Sequence, residues 1–492
     1  MEALTPTPSL RFRASERPSP VITTFYSFKG GVGRTQSLFN VATRLAAVRR
    51  HLLMVDVDLE APGLSIGTLD EEKRQAKEGF SEIASGLLED LRIAFDKNED
   101  LDYLKAVKSR YTARVRRALH KIDVPFPPKN ADLEDRLRRK LDVSLPGPGS
   151  LFLLSTGRIH EDYPQNVAQL PLADAYSDRL DAASRAVVLA MAKTFEAPVN
   201  LDRLRTRGHV FAALVREMLR TVVVPHHDST FDHVLVDSRS GLADVGGLCL
   251  LGLAETRVVL SGLNQQNVTG TKMVLENAAG VDEDACDEDH LIVVFSPVPE
   301  GEVDLLSRRV DSAKKTLGVS DEQVRLLHYH PRLALEEKAF AKPFHAYTRI
   351  YHEYGDLTNR LLHLTGNDAR SLVSAALDNF RENEDHEQLV RELVPAAFLD
   401  EDHVESVVNG QCTQIFQSGS NEQALPLFDL WTALSPNEVP ALGSTANYYT
   451  LVGSEEEIPM DEREKLFQRS VALNQSIIQS NPDEYRAWNG WG

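Results

Sequence analysis

The run Phe25-Tyr26-Ser27-Phe28-Lys29-Gly30-Gly31-Val32-Gly33-Arg34-Thr35 limits the possible folds more than any other stretch of the chain. An apolar, β-prone segment from Val21 to Tyr26 leads into it. Behind it, Leu38, Val41, Ala42, Leu45 and Val48 recur at three- and four-residue intervals, the spacing of one helical face. A strand, a glycine-rich turn and a helix in that order bring backbone N–H groups and a helix N-terminus around a phosphate chain. Gly30, Gly31 and Gly33 let the main chain turn tightly and approach the phosphates with no Cβ in the way. Thr35 stands where the hydroxyl that closes such a loop holds Mg²⁺.

The ordinary phosphate loop reads G-x-x-x-x-G-K-[ST], whereas this one reads K-G-G-V-G-R-T. It resembles the deviant Walker A loop, K-G-G-x-G-K-[ST], of the ParA/MinD-type (SIMIBI-class) ATPases. The resemblance implies that Lys29, matching the signature lysine, reaches across an ATP-sandwiched homodimer to the partner's nucleotide. It also implies that residues 29 to 36 (Lys29, Gly30, Gly31, Val32, Gly33, Arg34, Thr35, Gln36) line the ATP site. Arg34 departs from the family pattern. Arginine keeps the charge and forks onto phosphate oxygens, but its planar head cannot take the place of an ammonium.

At 492 residues the chain has room for two or more domains, and 42% hydrophobic with 26% charged residues describes an ordinary globular protein. The formal net charge of −19 excludes non-specific binding of the whole surface to nucleic acid or anionic membrane. Three scattered cysteines, Cys249, Cys286 and Cys412, exclude a disulfide framework or a zinc site. No apolar run approaches the ~20 residues of a membrane span. Residues 1–20 have no apolar signal core and read as a flexible arm, and the expected compartment is the cytoplasm.

Leu52-Leu53-Met54-Val55 forms a buried strand ending in Asp56-Val57-Asp58, and ligands in open α/β sheets gather at such carboxyl ends. By the resemblance, Asp58 orients the attacking water, while Asp56 supports Mg²⁺ or the loop. Residues 71–148 read as a helical insertion. Leu104, Val107, Tyr111, Val115, Leu119 and Ile122 line one face of it, and Lys105, Lys108, Arg110, Arg114, Arg116, Arg117 and Lys121 cover the rest. A second basic cluster, Arg136, Arg138, Arg139 and Lys140, follows Pro125, Pro127 and Pro128. A basic amphipathic face of this kind is either a solvated cover over a packed stripe or a nucleic-acid or membrane contact.

Strands are expected at Leu151–Ser155, Val234–Asp237, Thr256–Leu260, Leu291–Phe295 and around Leu326–Pro331, with helical patterns over about 168–221. The second of these reads as Walker B, with Asp237 reaching Mg²⁺. After it, Arg239 is either a transition-state or dimer-contact charge or the partner of a surface carboxylate, and Gly241 is a candidate hinge. Family members place an adenine-reading asparagine at the end of the Leu291–Phe295 strand. Here the slot holds Ser296-Pro297, and ATP over GTP rests on resemblance. His226, His227, His328 and His330 lack ligand spacing and read as polar loop residues.

From Tyr347 onward the pattern is helical, with an acidic connector over 366–410. Residues 411–492 resemble tetratricopeptide repeats: Ser435-Pro436 and Asn481-Pro482 close two similar units, and Trp488-Asn489-Gly490-Trp491-Gly492 looks like the opening of a third.

The expectation is therefore a doubly wound, mostly parallel α/β phosphate-loop sheet over 21–365 with a helical insertion, followed by an all-α repeat-like region. Lys29, Arg34 and Asp58 are the candidate catalytic residues, and Thr35, Asp56 and Asp237 the candidate Mg²⁺ residues. The implied function is a slow ATPase switch that dimerises around Mg-ATP and signals to a protein partner through the helical region. The resemblance also extends to bacterial signalling and antiphage proteins. The competing readings are a non-hydrolysing, nucleotide-stabilised scaffold and an ATP-dependent DNA- or membrane-positioning protein.

Overall fold

The computed structural model describes residues 20–97, 101–123, 130–141, 145, 147–159, 175, 179–192, 195, 204–241, 244–281, 283–301, 303–335, 348–419 and 421–481. The expectations for the arm at 1–19, for Pro125, Pro127 and Pro128, for part of the 168–221 helices and for Trp488 to Gly492 lie outside these residues. The chain divides into two compact units, residues 1–127 with 148–365, and residues 128–147 with 366–492.

In chain order the elements that frame the first unit begin with β1 (Val21–Ser27), α1 (Arg34–Ala47), β2 (His51–Asp56), α2 (Gly63–Thr68), α3 (Glu71–Ala76), α4 (Phe80–Asp96), α5 (Leu101–Ala118) and β3 (His120–Ile122). After α6 (Ala131–Lys140) come β4 (Ser150–Leu154), β5 (His233–Asp237), β6 (Thr256–Ser261), β7 (Leu291–Val298) and β8 (Val324–His328). They form one eight-stranded sheet in the order β3-β4-β2-β5-β1-β6-β7-β8. Only the β3–β4 pairing is antiparallel. Every residue of β1 and β5 is buried, because helices cover both faces of a parallel sheet, and such strands read as near-continuous apolar runs. One face packs on α4, α5 and the helix Arg207–Thr221, through Leu87, Leu91, Val107, Val115, Phe211 and Leu214. Burying each such aliphatic side chain contributes about 1.5–3 kcal/mol, which makes this layer the unit's main source of stability.

The sequence reading carried one helical face through Leu119 and Ile122. Instead, the helix ends at Ala118 and His120–Ile122 pairs with Leu151–Leu153. An edge strand presents unpaired N–H and C=O groups, and pairing them with β4 outweighs one more helical turn.

The second unit is all helical. The acidic stretch at 366–410 resolves into capped helices. Asp368, Asp385 and Asp400 each accept a backbone N–H of the first turn of Ala369–Asn383, His386–Ala397 and Glu401–Ser418. A carboxylate there also meets the positive end of the helix dipole, so these charges are structural. Helix α6 belongs to this unit, not to the sheet. Leu133 and Leu137 are fully buried with Phe398, Phe428 and Trp431, and Arg136 pairs with Glu401 at 2.6 Å while donating to the Leu434 carbonyl at 3.1 Å. Arg136 therefore serves packing, while Arg138, Arg139 and Lys140 remain exposed. Among the described residues no helix is long and apolar enough to cross a membrane, and Cys249, Cys286 and Cys412 form no disulfide with one another.

Candidate functional site

The carboxyl ends of β2, β5 and β1 lie side by side, with Asp56 in register with Asp237 and Phe25 in register with the same aspartate. The strand order reverses here, the place where open α/β sheets put their ligands. The loop from Phe28 to Gly33 leaves β1 and turns into α1 through two left-handed glycines, Gly31 at φ 80° and Gly33 at φ 78°. A side chain at either position would be strained. A Cβ on Gly30 or Gly31 would meet open space, whereas one on Gly33 would stand 3.5 Å from the Ser296 hydroxyl. Ser296, at the end of β7, thus backs the loop, and Pro297 beside it is exposed. Tyr26 ties the loop to the turn after β5 by donating its hydroxyl to the Gly241 carbonyl at 2.8 Å. Burial pushes that phenol up to about 12.

Inside the loop, Arg34 opens α1 with its head turned toward the carboxylates. Nε donates to Asp237 Oδ1 at 2.7 Å and Nη2 to Asp58 Oδ2 at 2.5 Å. Thr35 donates its hydroxyl to the other Asp237 oxygen at 2.7 Å. Arg34 and Asp58 are nearly buried and Asp237 entirely so. Burial lowers the guanidinium's proton affinity, but Asp237 and Asp58 outweigh it and the net shift is upward. Burial raises the Asp237 carboxyl, against the opposing pull of Arg34 and Thr35.

Asp56 sits beneath this pair. Its Oδ2 accepts both the amide and the hydroxyl of Ser65 at 2.7 Å, and its Oδ1 accepts the Asp58 amide at 3.2 Å. Those bonds fix the start of α2 and the 57–65 connection against the sheet. Gly63 lies beside Thr35, where an added Cβ would be 3.7 Å from the Thr35 hydroxyl. Burial first, then the Asp237 charge, push the Asp56 carboxyl up to about 8 despite the Ser65 donors. Unfolded, it titrates near ~3.9. The folded state therefore holds more protons between those values, and this contribution to stability is present below pH ~4 and lost as pH rises through about 8. Asp56→Asn is expected to flatten that decline. Urea midpoints at pH 5 and pH 8.5 read it, and an equal pH dependence in both proteins would refute the burial argument.

Arg239, whose role the sequence left open, pairs with Glu60 at 2.6 Å, so on its own chain it meets a surface carboxylate. Lys29 is half-buried and makes no hydrogen bond or ion pair with the described residues. Gln36 Nε2 and the Ser27 hydroxyl are buried without a partner among the described residues. Open glycines, unsatisfied donors and a hydroxyl–carboxylate pair at the loop's end fit a phosphate chain carrying Mg²⁺.

Sequence reasoning missed Ser65, which reaches Asp56 with no local signal. It also took His328 for a loop residue. His328 is buried at the end of β8 and its Nδ1 meets Glu353 at 2.6 Å. No group of His, Cys, Asp and Glu among the described residues has the arrangement of a metal cluster. On α5, Lys108, Arg110 and Arg114 pair with Glu217, Asp90 and Glu78, each at 2.7 Å.

No family model and no curated protein matches the chain. Solved structures similar to it include the septum site-determining protein MinD of Pyrococcus horikoshii complexed with Mg-ADP, 13% identical with a TM-score of 0.39 over 70% of this chain and 97% of that one. Apo McdA of Cyanothece is 11% identical with a TM-score of 0.42, covering 69% and 99%. A ParA family ATPase of Chlorobium tepidum is 12% identical with a TM-score of 0.36, covering 69% and 98%. These are likenesses at low identity, and what the site can do follows from its own residues.

Proposed function

We propose that the chain is a nucleotide-dependent switch that binds ATP with Mg²⁺ on the 29–36 loop, hydrolyses it slowly, and pairs with a second copy when loaded. The observation that carries this reading is the meeting of Arg34 and Thr35 with Asp58 and Asp237 at the ends of adjacent parallel strands. The amides of Gly30, Gly31, Val32 and Gly33 would cradle the phosphates, with Gln36 and Ser296 at the margins and Pro297 toward the base. Thr35 and Asp237 would hold Mg²⁺, with Asp56 supporting that position from below through Ser65. Mg²⁺ held there would supply neutralisation of the phosphate charge. Asp58 would accept a proton at Oδ1 from a water it orients, and donors fixed before reaction cost no reorganisation. With no partner among the described residues, Lys29 would reach a partner copy's nucleotide. The helical unit would then present the dimer state to a protein partner.

Molar mass from light scattering, with and without ATP and Mg²⁺, tests this. The wild type is expected to double in mass on addition of ATP, and Lys29→Ala to stay single. A mutant that pairs as the wild type does removes the cross-subunit role of Lys29.

One observation favours a second reading. Arg34 holds the carboxylate that would orient water, which suits a protein that binds ATP without turning it over. Phosphate release absent in the wild type but restored by Arg34→Lys would select that scaffold. A nucleic-acid or membrane role through α5 has less support, since the chain's own carboxylates already engage three of that helix's cations.

A further inference from the structure

We propose that Arg34 is the site's resident counter-ion, and that the site accepts a nucleotide only together with a divalent cation that takes over the carboxylates Arg34 leaves. This inference rests on the ATP reading above and specifies the ligand as a metal–triphosphate complex rather than a free polyphosphate.

Arg34 joins the segment after β2 to the end of β5, spanning Asp58 and Asp237. Two further links bind the same segments: the Val57 amide donates to the Asp237 carbonyl at 2.9 Å, and Arg239 pairs with Glu60. Position 34 is also where the loop's cation serves phosphate. A guanidinium is a planar, rigid fork, so a head turned onto two carboxylates must turn away from them to face phosphates in the loop. That turn strands the buried Asp58 and Asp237 without their counter-ion, and uncompensated buried charge is costly at low dielectric. An incoming polyphosphate adds negative charge to the same place. A divalent cation arriving with it restores the balance. Metal and nucleotide binding are then coupled, and the coupling is reciprocal. A single ammonium at this position could not span both carboxylates in the same way.

Calorimetric titration of the full chain with ATP, in Mg²⁺ and in EDTA, reads the coupling. The wild type is expected to bind at least about a hundredfold more weakly in EDTA. Asp58→Asn removes one carboxylate that Arg34 would strand, so its Mg²⁺–EDTA gap should narrow about tenfold or more. An unchanged gap with binding intact overturns the exchange alone. Absence of ATP binding by the wild type in either condition overturns the ATP reading and the exchange with it. A second measurement needs no nucleotide. Hydrogen exchange over residues 57–68 of the ligand-free protein should be faster in Asp58→Asn and in Arg34→Lys, because each breaks the fork. Exchange unchanged in both variants would show that Arg34 does not hold these segments.

Discussion

Replacing Arg34 with alanine is expected to destabilise the ligand-free α/β unit by about 3–5 kcal/mol, the cost of removing one partner from a buried ion pair. Asp237 is fully buried and Asp58 nearly so, and loss of the guanidinium leaves both without their counter-ion. Thr35 continues to donate to Asp237, but one hydroxyl does not replace a charge. Arg34→Lys should fall between the wild type and alanine, since an ammonium reaches one carboxylate well and the other poorly. The double change Arg34→Ala with Asp58→Asn should be less damaging than Arg34→Ala alone, which a double-mutant cycle would report as coupling. The three tryptophans are Trp431, Trp488 and Trp491, all in the C-terminal region, so their fluorescence reports on the wrong unit. Far-UV circular dichroism during urea unfolding is the suitable probe. A loss below about 1 kcal/mol, the range of exposed pairs, would mean that the fork is not a buried interaction in solution.

Gly149→Ala is expected to destabilise the same unit by up to about 3 kcal/mol, through overpacking that has no side chain to give way. Gly149 stands immediately before β4, pressed against the C-terminal end of α1. An added Cβ would fall inside contact distance of the Ala46 carbonyl oxygen and 2.8 Å from that of Arg50. Both obstacles are backbone. The Arg50 carbonyl also accepts the Ser150 amide, the bond that sets the β2–β4 register at His51 and Ser150. The methyl group must therefore shift either α1 or β4. The urea midpoint by circular dichroism should drop, whereas Trp431 fluorescence in the helical unit should report an unchanged transition. A midpoint equal to that of the wild type would show that α1 and β4 are less tightly apposed than they are here.

Much of this architecture was legible before any coordinates. The apolar runs at 21–26, 52–55, 151–155, 234–237, 256–260 and 291–295 are all strands, since a parallel sheet covered on both faces needs several consecutive buried residues. The loop glycines were legible too, because positive φ beside a strand end is a local demand that few other residues meet. The edge strand at 120–122 was not. Its three residues continue the helical spacing, and only the open side of β4 makes them extended. Neither was the place of α6, whose apolar spacing declares a buried face without naming what covers it. Periodicity states that a surface is buried and leaves its partner open.

The site divides along the same line. Sequence alone determined that a glycine loop, a hydroxyl and aspartates at strand ends would meet near a switch in the sheet, because chain direction and strand order place them there whatever their rotamers. Tertiary structure alone decided that Arg34 faces the carboxylates, that Ser65 holds Asp56, and that Glu60 engages Arg239. Those choices are set by which polar groups the folded segments bring within reach of one another. That depends on contacts between residues 9 to 203 positions apart, which no local pattern records.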